Sequence, residues 1–125
     1  MIRSAALIVG LASVAYAIPS IAFAQDAPPI YMADPAVYKV IFEDQSFRVI
    51  QATWKPGQID KQHAHPVPSI VYALTNCSIK LTSADGKTVV IHNKAGRAST
   101  VPITFSHHAQ NIGRHTCRLL LVERR

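Results

Sequence analysis

Charge is scarce in this 125-residue chain: 16% of its residues are Asp, Glu, Lys or Arg, and only 7 are acidic. With 49% apolar residues beside that scarcity, wholesale disorder is excluded, because enough apolar surface exists to offset chain entropy on folding. Cysteine is rarer still. Cys77 and Cys117 allow one bridge at most, which excludes a disulfide-scaffolded mini-domain. No segment of about 20 residues recurs, so solenoids and propellers are excluded. After residue 24, no stretch of about ten residues carries helical periodicity without a proline or turn residue breaking it, so helical bundles are excluded as well. The formal net charge is +6, but Lys and Arg are scattered from Lys39 to Arg125 without a run and without interleaved aromatics. That pattern describes a solvated basic surface rather than a nucleic-acid groove. The length confines the chain to one small domain.

The exception to the mixed composition is the start. Residues 1–24 hold a single charge, Arg3, followed by the apolar run Ala5 to Phe23 and by Ala22-Phe23-Ala24 before Gln25. A basic start, an apolar stretch and small residues at the end are the parts of a secretory signal, which predicts cleavage after Ala24 and a periplasmic or secreted protein. The run approaches the bilayer-spanning length of an anchor, the alternative reading, but Pro19 and Ser20 interrupt it next to the small residues, which favours cleavage. After cleavage no membrane segment is expected.

Residues 25–37 contain three prolines and no period, and read as an extended lead-in. From residue 38 to the end, short β-rich runs alternate with turn residues. The runs are Tyr38 to Glu43, Phe47 to Lys55, Ile59 to His65, Ser69 to Thr75, Ser78 to Thr82, Lys87 to His92, Ala98 to Pro102, Phe105 to Asn111 and Cys117 to Glu123. Asp85-Gly86 marks a tight hairpin between two of them. About nine short strands in one hundred residues predict an all-β, antiparallel sandwich or barrel. Ser69 to Leu74 and Cys117 to Val122 are apolar on both faces, which suits one face in a barrel and the other against a second sheet or another subunit.

Six histidines follow the lead-in. In a strand, His63 and His65 point to one face with their Cα atoms about 6.5–7 Å apart, so both imidazoles can converge on one metal ion. By the same alternation Asp60 and Gln62 are expected on the opposite face, and His108 opposite His107. His92 and His115 stand beside turn residues, where a histidine is commonly solvated.

The spacing of these residues resembles the two motifs of the cupins. Gly57, five residues, His63, one residue, His65 matches the opening of the first motif. Gly96, five residues, Pro102, then His107 and three residues to Asn111, matches the second, with Thr104 in place of its second glycine. The resemblance spans roughly Tyr38 to Glu123, so that 38–125 reads as a small single-domain cupin of the RmlC-like jelly-roll type, an antiparallel double-stranded β-helix. It is similar to the short cupins linked with β-alanine degradation. Where the first motif carries a glutamate, this chain has Ser69.

The resemblance implies a three-histidine site, His63, His65 and His107, for a divalent metal ion (Fe, Zn, Mn, Ni or Cu) with open positions for a small molecule. Three neutral imidazoles leave the ion its full charge and favour an anionic, chelating ligand. Ser69 can hydrogen-bond a metal-bound water or the ligand. Ser69, Tyr72, Phe105 and Asn111 are the expected pocket residues, with Trp54 a further candidate. No catalytic acid or base is assigned. Oxygenase-type chemistry is one implied function, and a metal-free cupin that only binds a small ligand is the alternative. In such a fold the strand from Ser69 and the strand from Cys117 are antiparallel neighbours, which brings Cys77 and Cys117 together as a disulfide or as two buried thiols. Cupins also suggest a homodimer, while the sequence leaves a monomer open.

Overall fold

A computed structural model describes residues 16–19 and 26–125. The proposed signal segment lies largely outside them. Among the described residues no helix is long and apolar enough to cross a membrane.

The β-rich runs form nine strands: β1 (Tyr38–Glu43), β2 (Phe47–Trp54), β3 (His63–His65), β4 (Ser69–Ala73), β5 (Cys77–Ser83), β6 (Thr88–Asn93), β7 (Ala98–Val101), β8 (Thr104–Asn111) and β9 (Cys117–Arg124). Their bounds follow the turn residues. Gly57 and Gly96, which open the two spaced motifs, have φ of 77° and 79°. This left-handed conformation is costly for a residue with a Cβ. Nothing lies within 4 Å of a Cβ built on Gly57, so conformation rather than space accounts for glycine there.

All strand pairs are antiparallel and fall into two sheets, ordered β1-β2-β9-β4-β7 and β3-β8-β5-β6. This is the all-β double-stranded β-helix expected from the sequence. Alternation then builds the core. Ile50, Ala52 and Trp54 of β2, Val71 and Ala73 of β4, and Leu119 and Leu121 of β9 face Ile79 of β5 and Ala109 of β8, all buried. The other face of the larger sheet leaves Ile70, Tyr72 and Leu74 exposed in a single chain.

β4 and β9 are neighbours, with Ala73 opposite Leu119. Cys77 and Cys117 are bonded, with a Cα–Cα distance of 5.2 Å. The bridge ties the start of β5 in one sheet to the start of β9 in the other. Closing 40 residues of chain contributes about 4 kcal/mol in the chain-entropy model.

The lead-in is less extended than the prolines suggest. Ile30–Ala33 form one helical turn, α1, started by the Pro29 carbonyl, which accepts from Met32 and Ala33, and stopped before Pro35. Pro29 pairs in parallel with Ala64, and the Ala64 amide donates to the Pro28 carbonyl at 2.9 Å. The segment thus covers β3, an edge strand whose polar groups would otherwise be open to pairing. It also buries Ile30 completely.

Candidate metal centre

β3 and β8 lie side by side with His63 opposite His107, so the three histidines meet on the inward face. His63, His65 and His107 are 1%, 4% and 8% exposed. One ligand nitrogen from each lies within 4.8 Å of the others. The rings meet edge to face, with centroids 4.6–5.3 Å apart. The His63 Nδ1 lies 2.8 Å from the Lys61 carbonyl, which only accepts, so Nδ1 carries the proton and Nε2 keeps its lone pair. The Nε2 atoms of His65 and His107 are 3.0 Å apart. Two nitrogens bound side by side at about 2.0–2.1 Å to one ion are separated by roughly that distance. The donor set therefore fits a divalent ion.

Burial also sets the charge state. Desolvation, with the neighbouring His107 and His63 adding to it, lowers the pKa of His65 to about 3. Desolvation, then His63 and His108, lowers that of His107 to about 4. His63 is lowered as well, chiefly by burial, against the opposing pull of Asp60 and of the Lys61 carbonyl. All three are neutral at pH 7, as metal ligands must be.

Asp60 is not where strand alternation puts it. β3 begins only at His63, and the preceding residues are irregular apart from a bridge between Ile59 and Gln110, so the period of two does not extend back to Asp60. Its carboxylate turns inward and is buried. Oδ2 accepts from the Tyr38 hydroxyl at 2.6 Å and from Trp54 Nε1 at 3.1 Å, Oδ1 accepts from the Ala109 amide at 2.7 Å, and Oδ1 lies 3.6 Å from His63 Nδ1. Burial and the adjacent carboxylate hold the Tyr38 hydroxyl protonated, its pKa well above the usual value. The Lys61 carbonyl fixes the His63 ring, and the Asp60 carboxylate stands beside the same Nδ1 at ion-pair rather than hydrogen-bond distance. Sequence reasoning missed Tyr38 and gave Asp60 the wrong side.

The expected pocket residues are placed unevenly. Ser69 is buried on the inward face, but its hydroxyl donates to the Val67 carbonyl. Tyr72 lies on the outer face of β4, 41% exposed. Phe105 shares the parity of His107 yet is 68% exposed, because the β3–β8 register shifts between His63 opposite His107 and His65 opposite Thr104. That bulge puts one extra residue on β8 and turns Phe105 outward. Asn111 is fully buried but acts as a clasp: its amide nitrogen donates to the carbonyls of Trp54 and His115, and its Oδ1 accepts from the Gly113 amide. Ser69, Tyr72, Phe105 and Asn111 are thus not among the cavity-lining residues, whereas Trp54 is. His108 faces away from the cluster toward Gln62, and His92 and His115 are exposed.

Glu123 is the carboxylate nearest in register to the position of the missing glutamate, directly opposite Ser69 on β9. It is buried 3.6 Å from Arg48, and burial raises its pKa. It is not a member of the histidine cluster.

The cluster closes one side of a cavity of about 220 Å³ between the sheets, lined also by Tyr38, Trp54, Val71, Ile79, Leu119 and Leu121.

No family model matches the chain, and no curated protein matches it. Solved structures do. A cupin domain from Bordetella pertussis Tohama I is 18% identical, with 82% of this chain and 99% of that chain covered and a TM-score of 0.65. An RmlC-like cupin family protein with a double-stranded β-helix fold from Methanocaldococcus jannaschii is 15% identical over 92% and 93% of the two chains, TM-score 0.57. A protein with a double-stranded β-helix domain from Klebsiella pneumoniae is 21% identical over 86% and 81%, TM-score 0.53. Likeness at this level shows the fold, which is that of a small cupin. Nothing in it connects the chain with β-alanine degradation.

Proposed function

We propose that this chain is an exported small cupin in which His63, His65 and His107 hold a divalent metal ion and present a small molecule to it. The observation that carries the reading is the convergence of three buried, neutral imidazoles, two of them with Nε2 atoms 3.0 Å apart. When bound, such an ion supplies a Lewis acid with open positions and, if it is redox-active, electrons. The chain's own residues orient the ligands: the Lys61 carbonyl accepts from the His63 ring, with the Asp60 carboxylate beside it. Asp60 is committed to three hydrogen bonds, and no carboxylate lines the cavity. Proton transfer there falls to the metal's own ligands or to the bound molecule.

Export to the periplasm or medium is part of the same reading, supported by the apolar N-terminal run and by the Cys77–Cys117 bridge, which persists in oxidising compartments. A homodimer covering Ile70, Tyr72 and Leu74 also belongs to it, and light scattering tests that element.

The second reading is a metal-free ligand-binding module. The contact between His65 Nε2 and His107 Nε2 favours it, since two neutral imidazoles can satisfy each other as donor and acceptor. Elemental analysis separates the two readings, using untagged protein purified from the periplasm and a His63→Ala/His65→Ala variant. Near-stoichiometric metal in the wild type and its loss in the variant are expected. A wild type that stays empty after anaerobic loading with Fe(II) or Zn(II) overturns the metal reading.

A further inference from the structure

The cavity behind the histidines is built almost entirely of hydrocarbon. Val71, Ile79, Leu81, Leu119 and Leu121 form its walls, with Trp54 beside them. Its polar lining residues are the three histidines, Tyr38, Asn93, Ser99 and Thr100, and none of the lining residues is Lys, Arg, Asp or Glu. The Tyr38 hydroxyl is already donated to Asp60.

The opening follows from topology. β6 ends one sheet and β7 ends the other, so the lining residues Ile91 and Ser99 belong to two free edges. Ile91 pairs with the buried Ile79 and so points to the same inward face, yet it is 39% exposed. It forms an apolar rim. Val90, one residue before it, points outward beside Lys80.

Size narrows the occupant. An apolar cavity of about 150 Å³ holds benzene, so one of about 220 Å³ has room for a ring and roughly two or three further non-hydrogen atoms. Charge narrows it again. Three neutral imidazoles leave a divalent ion its charge of +2, so negative charge on the occupant is compensated only where it touches the ion at the inner end. A second anionic group would sit among Val71, Ile79 and Leu119 without a counter-charge, at a large desolvation cost.

Resting on the metal reading, we infer that the site takes a ring-sized apolar molecule with a single oxygen-donor head, of the class of aromatic monocarboxylates and phenols. It enters head first between β6 and β7. Dicarboxylates that direct their second carboxylate away from the ion into the hydrocarbon are rejected, which narrows the expectation of an anionic ligand.

Two probes test this. Toluene is titrated into metal-free protein and followed through the methyl signals of Val71, Ile79, Leu119 and Leu121; benzoate and succinate are titrated calorimetrically into Zn(II)-loaded protein. Selective shifts of those methyls, and benzoate binding at least about tenfold tighter than succinate, are expected. Ile91→Glu weakens toluene and benzoate roughly tenfold or more, while Val90→Glu on the outer face of the same edge strand stays within about twofold. Absence of toluene shifts in folded protein overturns the apolar cavity. Succinate binding as tightly as benzoate, or equal effects of the two variants, overturns the ligand class. Failure to take up Zn(II) overturns the metal reading instead, and the toluene arm still decides the cavity.

Discussion

Replacing Asp60 with Asn isolates the contribution of one buried carboxylate. The two side chains are nearly isosteric, so packing is kept while one oxygen becomes an NH2 group. Asp60 accepts from three donors, the Tyr38 hydroxyl, Trp54 Nε1 and the Ala109 amide. Only the hydroxyl can reverse its role. With the NH2 group at the Oδ2 position it opposes the indole N–H. At the Oδ1 position it opposes the Ala109 amide and the His63 Nδ1 proton. Either orientation leaves a buried donor unpaired, at about 1–3 kcal/mol, and the remaining bonds lose their charge assistance. A loss of about 3–5 kcal/mol follows. In urea unfolding of the oxidised protein, with a slope near 2 kcal/mol/M, this moves the midpoint down by roughly 2 M. Metal affinity falls about 10–100-fold as the negative charge behind the His63 imidazole is lost. A variant within about 1 kcal/mol of wild type would refute the assignment of Asp60 as the anchor of this end of the core.

Replacing Cys77 and Cys117 together by Ala lowers stability by about 4 kcal/mol, measured by denaturant unfolding, and a thiol titration of the unreduced wild type finds no free thiol. The metal-free protein loses stability as pH falls. His63, His65 and His107 have folded-state pKa values below the ordinary value near 6.5, so below that pH the unfolded chain binds more protons. Stability therefore declines between about pH 6.5 and 4, with a slope of up to roughly 1.4 kcal/mol per pH unit for each histidine; an unfolding midpoint that stays flat over this window contradicts the buried, neutral cluster. Trp54→Ala costs about 3–5 kcal/mol, whereas Phe105→Ala, on an exposed side chain, stays within about 0.5 kcal/mol. Thermal unfolding of the two variants side by side checks that Trp54 belongs to the core and that Phe105 is turned outward.

Much of the architecture was legible because local chemistry and global fold agree. Pro56-Gly57, Asp85-Gly86 and Asn93 to Gly96 punctuate runs rich in Val, Ile and Phe, so strand bounds follow from turn residues. His63, His65 and His107 were legible because two-residue alternation and motif spacing both address one face. What sequence periodicity did not reveal depends on pairing between distant segments. The outward turn of Phe105 is set by a register shift between β3 and β8, which a single strand's alternation does not contain. The inward turn of Asp60 depends on the backbone losing its strand period before His63. The burial of Glu123 opposite Ser69 needs the β4–β9 register. The helical turn at Ile30–Ala33 sits between prolines that on their own read as extended chain.

X-ray absorption on protein loaded with one equivalent of Zn(II) tests the central claim most directly, because it counts the imidazoles on the ion. Three histidine nitrogens at about 2.0–2.1 Å, reduced in the His107→Ala variant, are the predicted result. A spectrum with fewer than three imidazoles, or one unchanged by that substitution, contradicts the account.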